Sequence, residues 1–183
     1  MRIISGEWRG RKLVAPKGDA TRPTGDRTRE TLFSMLTSRL GSFEGIEVAD
    51  LFAGSGALGL EALSRGAANC LFVEQEREAV TAIKDNIAAL DARARSRVEA
   101  MSVMHLRART EPLDLILLDP PYHTGAGEVA LDRLLRLGWI GEETWMALET
   151  SAKEDPHVAG LEIETTRKVG KAKLHILRRA AEG

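Results

Sequence analysis

The fold is decided by the stretch Val48-Ala49-Asp50-Leu51-Phe52-Ala53-Gly54-Ser55-Gly56-Ala57-Leu58-Gly59. An apolar, strand-like half leads into a helix-like half that contains three glycines. Their G-x-G-x-x-G spacing is typical of a strand-to-helix turn whose backbone approaches an adenosine-containing ligand closely. The turn therefore predicts a binding site at the carboxyl end of a strand. Its predicted contacts are Phe52, Gly54, Ser55, Gly56 and Gly59.

Two carboxylates narrow the choice of ligand. Glu74 ends the next apolar run, 20 residues after Gly54, at the spacing where a carboxylate accepts hydrogen bonds from ribose hydroxyls. Adenosyl cofactors and NAD both satisfy this spacing. Asp50 would repel a pyrophosphate, but it can lie near the ammonium and sulfonium groups of S-adenosylmethionine, directly or through water. A second interpretation, in which Asp50 only braces the turn, stays open.

Apolar runs and helical stretches alternate after residue 46, which is typical of βαβ units in a largely parallel sheet. The period of two on both sides of Gly170 predicts an antiparallel hairpin that closes the sheet. The predicted strands are Glu47–Phe52, Cys70–Glu74, Arg97–Met101, Leu113–Asp119 and Trp145–Glu149, followed by the hairpin strands Leu161–Lys168 and Ala172–Arg179. The predicted helices are Asp26–Leu40, with Thr24 or Asp26 as its N-cap, Ala57–Arg65, Arg77–Leu90 and Glu128–Leu137.

A strand-end tetrapeptide indicates the chemistry. Asp119-Pro120-Pro121-Tyr122 follows an apolar run, and its prolines stop the strand and fix the direction of the last carbonyls. It resembles the [Asn/Asp]-Pro-Pro-[aromatic] signature of methyltransferases that act on amino groups conjugated to a planar system. Such an amine needs acceptors that favour a pyramidal nitrogen. Asp119 and the Pro120 carbonyl are predicted as these catalytic acceptors, and Tyr122 as the surface on which the target base stacks. Asp119 is also predicted to contact the cofactor.

Charge is segregated along the chain although the net charge is only −1. Residues 1–30 hold eight Lys/Arg against four Asp/Glu, and residues 167–183 hold six against one. Basic ends can steer a protein toward a polyanion. A β-prone pattern around a Gly-containing turn predicts a hairpin over residues 2–14, so residues 1–20 form a basic extension and residues 21–183 the main domain. Cations beside an aromatic ring suit phosphates and unstacked RNA bases. The predicted RNA-contacting residues are Arg9, Arg11 and Lys12 of the extension, with Trp8 as an aromatic platform and Arg22 and Arg27 nearby.

A wider resemblance covers nearly the whole chain. It includes Arg2–Lys12, Arg22-Pro23-Thr24 with the charged residues that follow, Asp50–Gly66, Glu74, Asn86 and Asp119–Tyr122. With these motifs the chain resembles the RsmD family of bacterial 16S ribosomal RNA guanine-N2 methyltransferases. The resemblance implies a class I, Rossmann-like α/β fold with a mostly parallel seven-stranded sheet and an antiparallel last strand. It also implies S-adenosylmethionine as cofactor, 16S ribosomal RNA as partner, free or within a 30S subunit or assembly particle, and N2-methylguanine as product.

One motif departs from the class I pattern. Many class I enzymes carry an aspartate after the third strand that receives the adenine amino group, whereas this stretch reads Val98-Glu99-Ala100-Met101-Ser102-Val103-Met104. Ser102 or a backbone carbonyl is predicted to take this role, with Met101 packed on the adenine.

Composition excludes other classes of protein. The single cysteine gives no disulfide framework, the four histidines show no metal-ligand spacing, and no apolar run has the length of a membrane span. We expect a cytoplasmic monomer without a metal. Three alternatives stay open: a methyltransferase for another amine (adenine N6 of DNA or RNA, or a protein glutamine), a non-catalytic RNA-binding assembly factor, and an NAD-binding Rossmann protein.

Overall fold

The structure is a computed structural model that describes residues 1–17 and 25–182. In these residues seven strands form one sheet, with four α-helices against it. The strands are β1 (Glu47–Leu51), β2 (Asn69–Glu74), β3 (Ser96–Ala100), β4 (Leu115–Leu118), β5 (Trp145–Ser151), β6 (Leu161–Val169) and β7 (Ala172–Arg179). The helices are α1 (Asp26–Leu40), α2 (Ala57–Ser64), α3 (Arg77–Ala89) and α4 (Ala126–Arg136), with short 3-10 turns at Arg93–Arg95 and Val103–His105.

The strand order is β3-β2-β1-β4-β5-β7-β6. Strands β1 to β5 are parallel, and β7 pairs antiparallel with both β5 and β6. The reversed strand β7 therefore lies inside the sheet, and β6 returns to form its edge. This is the predicted α/β class I architecture with its closing hairpin, and the prediction is confirmed. The chain adds β2 and β3 on one side of β1 and β4 on the other, so the strand order reverses between β1 and β4. The glycine turn after β1 therefore lies at the switch point of the sheet, where ligands bind in open α/β folds.

Two apolar layers cover the sheet. On one face α1, α2 and α3 bury side chains such as Phe33, Leu60 and Ile83 against Phe72. On the other face α4 and the residues after it bury Leu131 and Trp139 against β4 and β5. Each large apolar side chain removed from water contributes about 1.5–3 kcal/mol, so the apolar strands β1 and β4 are fixed at the centre of the molecule.

The start of α1 differs from its prediction. The helix begins at Asp26 as expected, but its N-cap is Gly25, and no side chain caps it. Asp26 instead pairs with the buried side chain of Arg29, so Asp26 as N-cap was wrong. The other predicted cap, Thr24, lies outside the described residues.

The N-terminal hairpin packs firmly on α2. A single described bridge joins Arg2 to Lys12, and the buried Glu61 carboxylate accepts the Ile4 and Ser5 N–H groups at 2.8 and 3.0 Å. Trp8 is only 8% exposed and lies beneath the Arg95 guanidinium, 5.3 Å from its ring centroid. The prediction of Trp8 as an exposed platform for RNA bases was therefore wrong, because the hairpin uses this ring to join the core.

Among the described residues, no helix combines the length and the apolar character that crossing a bilayer requires.

Candidate active site

A cavity of about 500 Å³ opens at the carboxyl ends of β1, β2, β3 and β4. It collects motifs that are far apart in the sequence, because parallel strands deliver their carboxyl ends to one edge of the sheet. The cavity is lined by the predicted site residues Phe52, Gly54, Ser55, Glu74, Ser102, Asp119, Pro120 and Tyr122, together with Met1, Ala15, Pro16, Ala53, Ala57, Leu58, Val73, Gln75, Glu76, Met101, Val103 and Pro121. The predicted contacts Asp50, Gly56 and Gly59 are not on its wall.

Two glycines of the turn, Gly54 and Gly59, have different tasks. Gly54 has φ +59° and lines the cavity, and a Cβ there would meet no protein atom within 4 Å. Gly59 is inside α2, where a Cβ would come within 2.4 Å of the Phe72 ring and 2.7 Å of the Cys70 sulfur. Gly54 thus leaves backbone open to a ligand, whereas Gly59 allows the helix to pack closely on β2.

Phe52 carries backbone strain at the same edge. It has φ +56°, a conformation that costs a residue other than glycine about 1–3 kcal/mol. Phe52 is half-buried and lines the cavity directly before the glycine turn. Such strain persists where the surrounding structure requires it, so we take it as support for a binding role at this position.

Glu74 braces the turn and faces the cavity. Its two carboxylate oxygens accept the N–H groups of Gly54 at 2.9 Å and Glu76 at 2.8 Å. The side chain is 9% exposed and lines the cavity wall. Since each carboxylate oxygen can accept more than one hydrogen bond, the group keeps capacity for ligand hydroxyls.

Asp50 lies beneath the turn. One oxygen accepts the Gly59 N–H at 2.9 Å, while Oδ1 has no hydrogen-bond partner among the described residues. Burial raises the pKa of Asp50 well above its usual range, with a further rise from the charges of Asp119 and Glu74. The structure therefore shows the turn-bracing role, and the cofactor contact of Asp50 stays a prediction.

The cavity wall is acidic. Glu74, Glu76 and Asp119 line it, and none of its described lining residues is Lys, Arg or His. Carboxylates in a partly desolvated site favour a cation and disfavour a second anion. The pyrophosphate of a dinucleotide would meet these carboxylates without a Lys, Arg or His side chain to offset them, so the wall disfavours an NAD-type ligand.

The far end of the cavity is formed by the residues after β3. Met101, Ser102 and Val103 line it, and the Ser102 hydroxyl accepts the Met104 N–H at 3.2 Å. The serine thus caps the 3-10 turn Val103–His105 while it lines the cavity. This arrangement provides an apolar thioether and polar groups in the region where the sequence predicts adenine recognition.

The Asp-Pro-Pro-Tyr segment forms the opposite end. Asp119 follows β4 directly, and Pro120 is buried against α4, where a Cβ on Gly127 would come within 3.1 Å of the proline ring. The Tyr122 hydroxyl donates a hydrogen bond to Glu149 at 3.0 Å. Glu149 is buried in β5 and fixes the half-buried ring of Tyr122. Sequence reasoning missed Glu149, although a carboxylate inside the apolar run of β5 was a signal.

Asn86 was also missed as a link between two parts of the site. From α3 its amide pairs with both the N–H and the carbonyl of Val14, at 2.8 and 3.0 Å, and donates to the Ser55 carbonyl at 2.9 Å. Ala15 and Pro16 follow Val14 and line the cavity. Asn86 therefore holds the N-terminal segment against the glycine turn.

The predicted RNA-contacting cations lie outside the cavity. Arg9, Arg11, Lys12 and Arg27 are exposed. The Arg11 guanidinium donates to the Ala89 carbonyl at 2.7 Å, so this side chain also ties the hairpin to α3. Arg22 lies outside the described residues.

The fold and the site together define a class I methyltransferase, and this fold implies a methyl donor of the S-adenosylmethionine type. Comparison with known proteins gives the family. The family model described as conserved hypothetical protein 95 matches residues 1–178, and the chain belongs to this family, the RsmD family that its motifs predicted.

Relatives extend over the whole chain. A protein from Escherichia coli named ribosomal RNA small subunit methyltransferase D is 35% identical, over 100% of this chain and 92% of its own. Its namesake from Haemophilus influenzae is 36% identical, over 85% of this chain and 81% of its own. The solved structure of a putative methyltransferase from Escherichia coli superposes with a TM-score of 0.86 at 36% identity, covering 100% of this chain and 99% of that one.

Proposed function

We propose that this protein transfers a methyl group from S-adenosylmethionine to the exocyclic N2 amine of a guanine in 16S ribosomal RNA. The observation that carries the proposal is the position of Asp119-Pro120-Pro121-Tyr122 on the wall of a cavity that also holds the carboxylates of Glu74 and Glu76 and whose described lining includes no Lys, Arg or His. The names of the full-length relatives, which refer to the ribosomal RNA of the small subunit, support an RNA substrate.

The residues present fit this cofactor. Gly54 offers open backbone where a Cβ would otherwise project, Glu74 offers acceptors for ribose hydroxyls, and Met101 and Ser102 offer an adenine pocket. The orphaned Oδ1 of Asp50 lies beneath the cavity wall and is a buried acceptor that a donor from the amino-acid end would satisfy through water. When bound, the cofactor supplies an electrophilic methyl group on a sulfonium.

The acceptor end holds and orients the amine. The Asp119 carboxylate and the Pro120 carbonyl accept hydrogen bonds from the amino group, which favours a pyramidal nitrogen whose lone pair is available for attack. Tyr122, fixed by Glu149, stacks on the guanine and holds it out of the RNA stack. Orientation contributes up to about 7–11 kcal/mol in intramolecular models, so no strong base is required. As the N–C bond forms, the bond from that carbon to the sulfonium sulfur would break, and the amine would lose one proton, for which the Asp119 carboxylate is the proposed acceptor.

The test is a methylation assay with labelled S-adenosylmethionine and separate pools of small-subunit RNA, DNA and protein. We expect label in RNA, and none with the Asp119→Ala variant. Label in DNA or on protein glutamine would move the same chemistry to another acceptor. Tight RNA binding without label in any pool would instead favour a non-catalytic assembly factor.

A further inference from the structure

A second groove, of about 620 Å³, lies on the sheet face that also carries α4. Its walls are the strands β2 and β3 and the segment 105–109, and no α-helix of the described residues lines it. Parallel sheets are ordinarily covered by helices on both faces. Here the connection from β3 to β4 contains only the 3-10 turn Val103–His105 and extended chain, so this part of the sheet stays open.

The groove carries an excess of positive charge. Arg97, Arg107 and Arg109 line it, opposed by Glu47 and Glu99, with His105 beside them. Glu99 pairs with Arg97 at 2.8 Å, and a Glu47 oxygen accepts the Asn69 amide at 2.8 Å. Among the described residues, no carboxylate forms an ion pair with Arg107 or Arg109. Arg95 also lines the groove, but its guanidinium donates to the carbonyls of Leu63 and Ala67.

The backbone that presents Arg107 and Arg109 is held in place, and the Arg109 Nε itself donates to the nearby Glu111 carbonyl at 3.1 Å. The Arg107 carbonyl accepts the Trp139 indole N–H at 2.8 Å, and the Arg109 N–H donates to the Leu137 carbonyl at 2.9 Å. The Arg109 guanidinium also lies 5.2 Å from the centroid of the Trp139 ring. A ligand that binds here therefore orders little of the chain, which reduces the entropic cost of binding.

The position of the groove favours a polynucleotide over a small anion. Met101 lines both the groove and the candidate active-site cavity. The acceptor end after β4 is three strand spacings from β3, about 14 Å away. On the opposite face of the sheet, Arg11 of the hairpin contacts Ala89 at the end of α3. The cations of the hairpin and those of the groove therefore flank the edge strand β3 from its two faces.

We propose that the groove between β3 and the segment 105–109 binds the phosphodiester backbone of the RNA substrate, with Arg107 and Arg109 as its phosphate contacts. This second RNA surface rests on the proposed function. It continues the surface of the N-terminal hairpin around β3, so one structured RNA contacts both faces while it offers a base at Tyr122.

The test is a salt titration of binding to small-subunit RNA for the parent and the double variant Arg107→Ala/Arg109→Ala. The loss of two phosphate contacts flattens the slope of log affinity against log salt by about 1.4, at about 0.7 for each contact with single-stranded nucleic acid. The conservative pair Arg107→Lys/Arg109→Lys keeps the parent slope. Lys84→Ala/Arg136→Ala is the matched control, since it removes two exposed cations that do not line the groove.

Cofactor affinity and thermal unfolding check the fold of each variant. The single variant Arg107→Ala leaves the Arg109–Trp139 contact intact, and its salt slope is expected to flatten by about 0.7. The groove proposal is wrong if the parent methylates RNA and the double variant has the same slope as the parent or as the control. A parent that neither binds nor methylates RNA contradicts the proposed function itself. If free mononucleotides bind to the parent and less well to the double variant, while both proteins have the same RNA slope, the groove is a small-anion site instead.

Discussion

Replacement of Glu74 by Ala separates cofactor binding from the chemical step. Glu74 contacts the glycine turn and the cavity but lies two strands away from Asp119 in the sheet. Hydrogen bonds to a charged group contribute about 1.5–3 kcal/mol, and each 1.4 kcal/mol changes affinity about tenfold. Glu74→Ala is therefore expected to weaken S-adenosylmethionine binding by about 10- to 150-fold. The rate at saturating cofactor should fall much less.

The variant also affects the turn itself. The N–H groups of Gly54 and Glu76 both lose their acceptor, at about 1–3 kcal/mol for each buried group. Water from the cavity can replace part of this loss, so we expect the free energy of unfolding to fall by about 2 kcal/mol, the lower end of the roughly 2–6 kcal/mol expected for two such groups. Glu74→Gln keeps one acceptor oxygen and should lose less stability, yet it should still bind the cofactor more weakly than the parent does.

Calorimetric titration with S-adenosylmethionine measures the affinity, and thermal unfolding without ligand measures the stability of the same samples. Unchanged affinity in Glu74→Ala, with the expected loss of stability, would show that Glu74 only braces the turn. The ribose assignment would then be refuted, although the cavity would remain.

Three further predictions concern catalysis, RNA binding and pH. Asp119→Ala should abolish methyl transfer and leave cofactor affinity within a few-fold of the parent; turnover near the parent rate would contradict the role of Asp119. The triple variant Arg9→Ala/Arg11→Ala/Lys12→Ala should flatten the salt slope of RNA binding by about 2, measured by titration with thermal unfolding as control; equal slopes would make the hairpin a structural element only. His175 is buried between the hydroxyls of Thr150 and Thr166, and burial, with the nearby charge of Lys173, lowers its pKa despite the opposing carboxylates of Asp155 and Glu154. As pH falls below about 6.5, the unfolded chain therefore binds a proton at this histidine that the folded chain does not, and the folded protein should lose stability. His175→Gln should show a smaller loss of stability between pH 7.5 and about pH 5.5 in thermal unfolding. An identical loss in the variant and the parent would exclude His175 as the cause.

Much of the fold was predictable because it depends on local patterns. The apolar runs of β1, β2 and β4 and the glycine turn identify the parallel sheet, and the period of two around Gly170 identifies its closing hairpin. The ends of β4 were less predictable. The prediction ran from Leu113 to Asp119, whereas the strand covers Leu115–Leu118, because the prolines and the contacts of Asp114 with Glu47 limit the pairing.

The errors and omissions concern residues whose partners are distant in sequence. Trp8 stands among cations and resembles a surface aromatic, but Ser64 binds its backbone N–H from α2 and Arg95 covers its ring. Glu149 and Asn86 are buried polar residues of β5 and α3, and neither belongs to a recognisable site motif. Their tasks depend on Tyr122 and Val14, which only the folded chain brings near them.

The predicted site residues form two groups in the structure. Those at strand ends, such as Glu74 and Asp119, meet in the cavity because the parallel sheet aligns them. Asp50 and Gly59 lie below that edge and contact each other instead. Sequence spacing identifies which residues belong to a turn, but it does not distinguish those that face a ligand from those that support the turn from beneath.

The central claim is that the Asp119–Tyr122 segment directs a methyl group to an exocyclic amine of guanine. It is tested most directly by digesting small-subunit RNA to nucleosides after incubation with the protein and S-adenosylmethionine, followed by chromatography with mass detection against methylguanosine and methyladenosine standards. The account predicts N2-methylguanosine with the parent and none with Asp119→Ala. A methyl group on a ring nitrogen or on ribose would contradict it.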